Sequence, residues 1–315
     1  MIAPAASVVI PAFNAARTIA ASVGSALAQS MRDVEVIVVD DGSTDGTADA
    51  VDRIADSRVR LVSQANRGLP AARNAGIGAS RGTYIAFLDS DDLLLPDFLK
   101  CGLEALTARV NPGFAYTDAY VLDEANARLR QSSAMAPFDP PVPPPEGNQE
   151  FLAALIRINF VYVSTIVPRN VLDAVGQFNE ARTSCEDYDL WLRIMAAGYE
   201  PAWFSGRHAV YRLHPGQMTR NVTQMARNLA AVYDELPLEA MPTVRHRELL
   251  LKRRRRARME ARVVAPIRRV VPERAMLLLR SRKNRWYGAL PAEVAEAFGG
   301  VAVGSAVAGC PQTHD

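Results

Sequence analysis

The run Val34–Asp40, Val-Glu-Val-Ile-Val-Val-Asp, constrains the fold more than any other stretch of the chain. β-Branched residues suit a pleated strand and lose side-chain freedom in a helix. This run is too apolar to leave one face in water, so it reads as a central parallel strand covered on both sides. It ends in Asp-Asp-Gly-Ser-Thr-Asp-Gly, a turn cluster. The same alternation recurs around it. Ser7–Pro11 reads as a strand, followed by Ile19, Val23 and Leu27 on one helical stripe. Val59–Val62 reads as a third strand, Leu69–Ala79 as a helix and Thr83–Leu88 as a fourth strand. A helix bearing Phe98, Leu99, Leu103 and Leu106 follows. Repeated βα units predict an α/β fold with an open, mostly parallel sheet flanked by helices.

Six prolines between Pro137 and Pro145 exclude helix or central strand there and read as a spacer or a loop bordering a cleft. Beyond it, Asn148–Ile158 reads as a helix, Ser164–Val167 as a strand and Glu186–Ala196 as a helix with Trp191 on its apolar side. Short extended stretches fall around Trp203 and at Ala209–Arg212. From Met218 the chain reads as helix, broken at Pro237, Pro242, Pro266 and Pro272.

With 49% apolar and 22% charged residues, the 315-residue chain supports a sizeable core, which excludes global disorder. No run reaches the roughly 18 apolar residues of a spanning helix. The N-terminus lacks a basic segment ahead of an apolar one, so no signal peptide is expected. Three widely spaced cysteines give neither a disulfide framework nor a zinc motif, and suit a reducing, cytoplasmic setting. The formal charge of +2 hides an asymmetry. Residues 245–285 hold 16 basic and 3 acidic residues (+13), against 20 basic and 31 acidic elsewhere (−11).

Ligands of open α/β sheets bind beyond the carboxyl ends of the strands. Three polar clusters fall at those ends: Pro11–Asn14, Asp40–Asp45 and Asp89–Asp92. Any one of them alone reads more simply as an ordinary polar loop; three at one edge are harder to dismiss. No glycine-rich phosphate loop follows a strand, so binding a phosphate among these carboxylates calls for a divalent cation. Asp89-Ser90-Asp91 is the expected place for it. Asp187, beside Glu186 and Asp189, is either a helix N-terminal Asp or a base whose pKa is raised by neighbouring like charge. His208 and His246 read as surface or packing residues, Cys185 as filler, and Trp191 as a core anchor rather than an acceptor platform.

The segments SVVIPAFNAARTI, VEVIVVDDGSTDGT, NRGLPAARNAGIGASRGTYIAFLDSDD and CEDYDLWLRI, in this order, resemble the inverting glycosyltransferases of family 2. The resemblance covers about residues 5–220 and implies a Rossmann-like GT-A catalytic domain over 1–220, with a helical basic extension over 221–315. It implies transfer of one sugar from a nucleotide-sugar, a UDP-sugar being expected, to a hydroxyl of a glycan or lipid-linked acceptor in bacterial cell-surface polysaccharide or glycolipid synthesis. By the same resemblance Pro11, Phe13, Asp41 and Arg73 line the nucleotide site. Asp89 and Asp91 take the D-x-D positions that hold the donor with Mg²⁺ or Mn²⁺. Asp187 falls at the catalytic base, and His214 in YRLHPGQMT at a loop that closes over the diphosphate, as an additional metal or diphosphate contact. Asp92 has no assigned role.

The competing class is a non-catalytic or nucleotidyltransferase-like nucleotide binder. A nucleotidyltransferase calls for a glycine- and basic-rich loop after the first strand, which PAFNAARTI is not, and a dead homologue for loss of Asp91 or Asp187. The segment 245–287, with Lys252–Arg256, two leucine-rich patches and Trp286-Tyr287, reads either as a solvated charged helix or as a peripheral contact with an anionic membrane at its inner face. Nucleic acid is not expected as a partner, because no recognition motif is present.

Overall fold

A computed structural model describes residues 3–123, 128–130, 144–145, 147–214 and 222–264. The first half follows the βα alternation read from the sequence. Strands β1 (Ala6–Ala12), β2 (Val34–Asp40), β3 (Val59–Ser63) and β4 (Tyr84–Phe87) pair in the parallel order β3-β2-β1-β4. Helices α1 (Ile19–Leu27), α2 (Thr47–Asp52) and α3 (Leu69–Ala79) connect them. All seven residues of β2 are buried, as a strand covered on both faces requires.

Past β4 the chain adds β5 (Leu93–Leu94), α4 (Phe98–Thr107), β6 (Pro112–Asp123), β7 (Arg128–Arg130), α5 (Asn148–Arg157) and β8 (Thr165–Pro168). Helices α6 (Arg169–Val175) and α7 (Glu186–Ala196), strand β9 (Glu200–Leu213), and helices α8 (Val222–Glu235) and α9 (Val244–Met259) complete it. The full sheet order is β3-β2-β1-β4-β8-β6-β9-β5, with β7 on β6. Short antiparallel pairings join β8 to β4 and β6, while β6 and β9 run parallel over nearly their whole length. The two extended stretches expected around Trp203 and Ala209 are one strand, β9. Its pairing with β6 shifts register between Tyr116 and Ala119, opposite Gly206, whose φ of +103° suits glycine.

Alternate residues of each strand feed two cores. Val8, Ile10, Val36 and Val38 face α1 and α4, meeting Ile19, Val23, Phe98 and Leu106. Val9, Ile85, Phe87, Phe114 and Tyr116 belong to the opposite core, with α5, α7, α8 and α9. Trp191 is fully buried there, its ring 5.0 Å from Phe114, which makes it a core anchor. Tyr233 of α8 and Leu250 and Ala257 of α9 share that core. His246 is buried too, with Nε2 2.7 Å from the Gln149 carbonyl oxygen, tying α9 to the start of α5. The basic run on α9 therefore divides. The Arg254 Nε donates to the Tyr233 carbonyl at 2.7 Å and Arg253 lies over the Tyr233 ring, whereas Lys252, Arg255 and Arg256 are exposed. The Pro137–Pro143 stretch and residues 265–287 lie outside the described residues.

Helix α3 approaches β1 closely because Gly76 faces Val9. A Cβ built at Gly76 would lie 2.3 Å from Val9 Cγ1, while one at Gly78 meets nothing within 4 Å. Gly76→Ala is expected to lower unfolding free energy by about 1–3 kcal/mol through overpacking. Gly78→Ala, on the same helix, is expected to raise it by up to about 1 kcal/mol through helix propensity. Chemical denaturation of both variants checks the contrast; equal losses would mean that α3 does not rest on β1 through Gly76.

Candidate active site

The loops after β1, β2 and β4 meet at one edge of the sheet. The first two are stitched together. Asn14, at φ +51°, accepts from the Thr44 N–H at 2.9 Å, and its own N–H donates to Ser43 Oγ at 2.9 Å. The Ala15 N–H donates to Thr47 Oγ1 at 2.8 Å. Pro11 is buried at the end of β1, and Phe13 stands 51% exposed on this rim. Asp41 is buried under it. Its carboxylate accepts from Gln64 Nε2 (2.7 Å) and from the backbone N–H groups of Arg67 (2.9 Å) and Gly68 (2.8 Å), so it also fixes the start of α3.

The acidic loop after β4 is the chemical centre. Asp89, Asp91 and Asp92 place carboxylate oxygens within 4.8 Å of one another. Burial and the charge of Asp89 raise the Asp91 pKa. Burial, then Asp91 and Asp89, hold Asp92 well above the usual carboxylate range. A concentration of negative charge with oxygen donors alone fits a hard divalent cation such as Mg²⁺ or Mn²⁺. His214, at the end of β9, lies with Nε2 2.7 Å from Asp91 Oδ2. Asp92 is 1% exposed and faces inward, accepting from the Tyr162 hydroxyl and from the Arg212 N–H at 2.9 Å. Behind the loop, Ser22 Oγ of α1 lies 2.9 Å from the Ser90 carbonyl oxygen and 2.8 Å from that of Asp92.

Arg73 joins this loop to α7. Its guanidinium is 1% exposed, donates to Asp89 Oδ1 at 2.7 Å and to Glu186 Oε1, and lies 5.2 Å from the Phe178 ring centroid. Burial opposes its charge, but Asp89 and then Glu186 outweigh that and keep it protonated. Asp187, half-buried beside this ion cluster, accepts from the Tyr188 N–H at 2.6 Å. Burial, then the charge of Glu186, lift its pKa to about 7 against the pull of Arg73. Asp189 plays a different part from the one expected of a flanking charge: it pairs with Arg193 at 2.9 Å on the far side of the helix. Cys185 precedes α7 in the left-handed region, at φ +61°, and burial with the neighbouring Asp187 and Glu186 pushes its thiol up to about 12, which disfavours the thiolate.

The structure thus brings Arg73, Asp89, Asp91, Asp187 and His214 into one connected group, with Pro11, Phe13 and Asp41 on the adjoining rim. Glu186 as the counter-ion of Arg73, and Tyr162 as the partner of Asp92, carried no signal of their own in the sequence. Both contacts join residues far apart in the chain.

The description "Glycosyl transferase family 2" matches residues 7–136. The UDP-Glc:alpha-D-GlcNAc-diphosphoundecaprenol beta-1,3-glucosyltransferase WfaP of Escherichia coli is 32% identical over 219 residues, which cover 68% of this chain and 80% of that protein. This chain belongs to glycosyltransferase family 2. The succinoglycan biosynthesis protein ExoO of Rhizobium meliloti is 37% identical over 220 residues, covering 69% of this chain and 63% of that protein, so the match spans less than two-thirds of it. Among solved structures, S. aureus TarS 1-349 in complex with UDP-GlcNAc aligns with a TM-score of 0.62 at 17% identity, over 81% of this chain and 72% of that one. The mannosyltransferase PcManGT from Pyrobaculum calidifontis, in complex with GDP-Man and Mn2+, aligns at 0.56 with 19% identity, over 90% and 80% of the two chains. At these identities the likeness establishes the GT-A fold alone. The family places the chain among glycosyltransferases and so sets aside the nucleotidyltransferase reading.

The raised Asp187 pKa has a stability consequence. An acid whose pKa is higher folded than unfolded binds more protons in the native state, so its ionisation destabilises the fold as pH rises from about 4 through about 7. Asp187→Asn is therefore expected to melt above the parent protein at pH 8, with the difference closing by pH 4. Calorimetric melting temperatures across that range check it; a variant that melts lower at pH 8 would mean that the carboxylate stabilises this helix start.

Proposed function

We propose that this glycosyltransferase moves one sugar, with inversion, from a UDP-sugar to a hydroxyl of a glycan or lipid-linked acceptor in bacterial cell-surface polysaccharide or glycolipid synthesis. The observation that carries this reading is Asp187: a carboxylate with a pKa near 7, joined through Glu186 and Arg73 to the acidic loop at Asp89. A general base works best when its pKa lies near the working pH. The relatives add support, since WfaP is named for glucosyl transfer to a diphosphoundecaprenol-linked sugar and TarS was solved with UDP-GlcNAc. We assign residues 1–220 to the GT-A unit and 221–315 to a helical extension, of which α8 and α9 share the core of that unit.

In this reading the exposed Phe13 and the rim at Pro11 and Asp41 receive the nucleoside, while Arg73 acts from beneath by orienting Asp89. Asp91, with Asp89 and His214, would hold Mg²⁺ or Mn²⁺. Such an ion, when bound, neutralises charge on the departing diphosphate. Asp187 takes the proton of the acceptor hydroxyl as that oxygen bonds to the anomeric carbon. The bond from that carbon to the diphosphate oxygen breaks on the opposite face, so the configuration inverts.

Two measurements test the assignment. Asp187→Asn keeps the shape but removes the base, so turnover is expected to fall about 10²–10⁴-fold. UDP affinity should stay nearly intact, because the base acts only as the bond forms. The parent enzyme should show a rising limb of turnover centred near pH 7, where Asp187 ionises. Normal turnover in the Asn variant would move the base elsewhere. Separately, calorimetry of UDP with and without Mn²⁺ should show metal-dependent binding that Asp91→Ala abolishes. Equal affinity in all four conditions would remove the ion from the donor site.

A further inference from the structure

We propose that the outer face of α9 docks on an anionic lipid surface and holds the catalytic unit against it. Of the five large hydrophobic residues exposed among the described residues, three lie on this one helix: Val244 (66%), Leu251 (39%) and Met259 (57%). They stand seven and eight residues apart, two helical turns each, so they form a single line about 22 Å long. Lys252, Arg255 and Arg256 flank that line, exposed and with no ion pair to another described residue. Arg245 and Arg247 extend the positive field, and Glu248 is the one acid exposed on this face.

The opposite face of α9 is committed to the protein. His246, Leu250 and Ala257 are buried in the core shared with α5 and α7, and Arg253 and Arg254 close onto Tyr233. The helix is thus a rigid part of the catalytic unit, and whatever its outer face binds positions the active site too.

Three occupants compete for such a face. A second copy would bring one net positive surface against another. Of the chain's own continuation, residues 265–285 hold 7 basic residues and 1 acidic one, and repel it for the same reason. A nucleic acid would satisfy the cations but leave an aliphatic line against a phosphate backbone, with no aromatic side chain on the face to stack a base. An anionic bilayer satisfies both features together. Basic groups meet the headgroup charge while Leu251, Met259 and Val244 enter the boundary with the acyl chains. Neither feature depends on the donor or acceptor assigned above, so binding can succeed or fail independently of turnover.

The test uses the full chain, sedimented with vesicles of phosphatidylcholine alone or mixed with phosphatidylglycerol. Binding should require the anionic lipid and weaken as salt rises. The triple variant Lys252→Glu/Arg255→Glu/Arg256→Glu is expected to lose about a hundredfold or more in partitioning. Leu251→Ser/Met259→Ser, which keeps every charge, is expected to lose about tenfold. Both variants alter exposed positions only, and should keep the parent melting temperature and UDP affinity. Equal binding to neutral vesicles, or unchanged partitioning in both variants, would overturn the proposal. Tighter binding to polyadenylate than to vesicles, retained by the serine variant, would assign the face to nucleic acid instead.

Discussion

The buried guanidinium of Arg73 is the interaction on which the rest of the site depends. It is 1% exposed and holds Asp89 on one side and Glu186 on the other. A charge in that position is tolerable only because two carboxylates meet it, and removing one member of such a cluster typically costs about 3–5 kcal/mol. Arg73 also joins two parts of the chain that the sheet does not. Asp89 follows β4 of the parallel half, and Glu186 opens α7, which packs on the mixed half. The pairing sets the distance between the acidic loop and Asp187. It divides the roles of two adjacent carboxylates as well. Glu186 is paired with Arg73, and its field raises the pKa of Asp187, which has no comparable partner among the described residues.

Arg73 can sit there because α3 lies close on the sheet. One turn after it on the same helix, Gly76 lets the helix backbone approach Val9 to a distance that any side chain would prevent. At the helix start, Asp41 accepts the Arg67 and Gly68 N–H groups and fixes the entry angle. The first glycine of RNAGIG, Gly76, is therefore required by packing. A carboxylate expected to meet a nucleotide base is also a structural acceptor, and the two uses are compatible because a carboxylate offers about four acceptor positions.

How much of this was legible in the sequence follows from the range of the contacts. Val34–Asp40 was readable because each residue carries the demand for burial by itself, and all seven are buried. Leu69–Ala79 and Glu186–Ala196 were readable because helical periodicity is local, and both occur with those bounds. Strand β9 was read as two fragments because Ser205, Gly206 and Arg207 interrupt its pattern. What makes it continuous is β6, about ninety residues earlier in the chain, with a register shift that accommodates the break. The acidic clusters could be named as candidates, but not sorted. Asp89, Asp91 and Asp92 look alike in sequence. Their different roles come from Arg73, His214 and Tyr162, each supplied by a different element.

Asp92 shows why sorting them matters. Of the three carboxylates it is the most deeply buried, and it is bound to the Arg212 N–H of β9 and to the Tyr162 hydroxyl ahead of β8. The same stretch of β9 carries His214 to Asp91 two residues later. A loop between two elements would ordinarily move with whatever binds it, yet this one is held from below by Ser22 of α1, from one side by Arg73 and from the other by the end of β9. Between them these restraints hold every residue from Asp89 to Asp92, which sets the separation of Asp91 and Asp89. Preorganisation of this kind lowers the cost of gathering like charges at the moment of binding, because folding has already met it. The mixed half of the sheet, the least readable part of the chain, is what delivers Tyr162, Arg212 and His214 to the loop that the readable half presents.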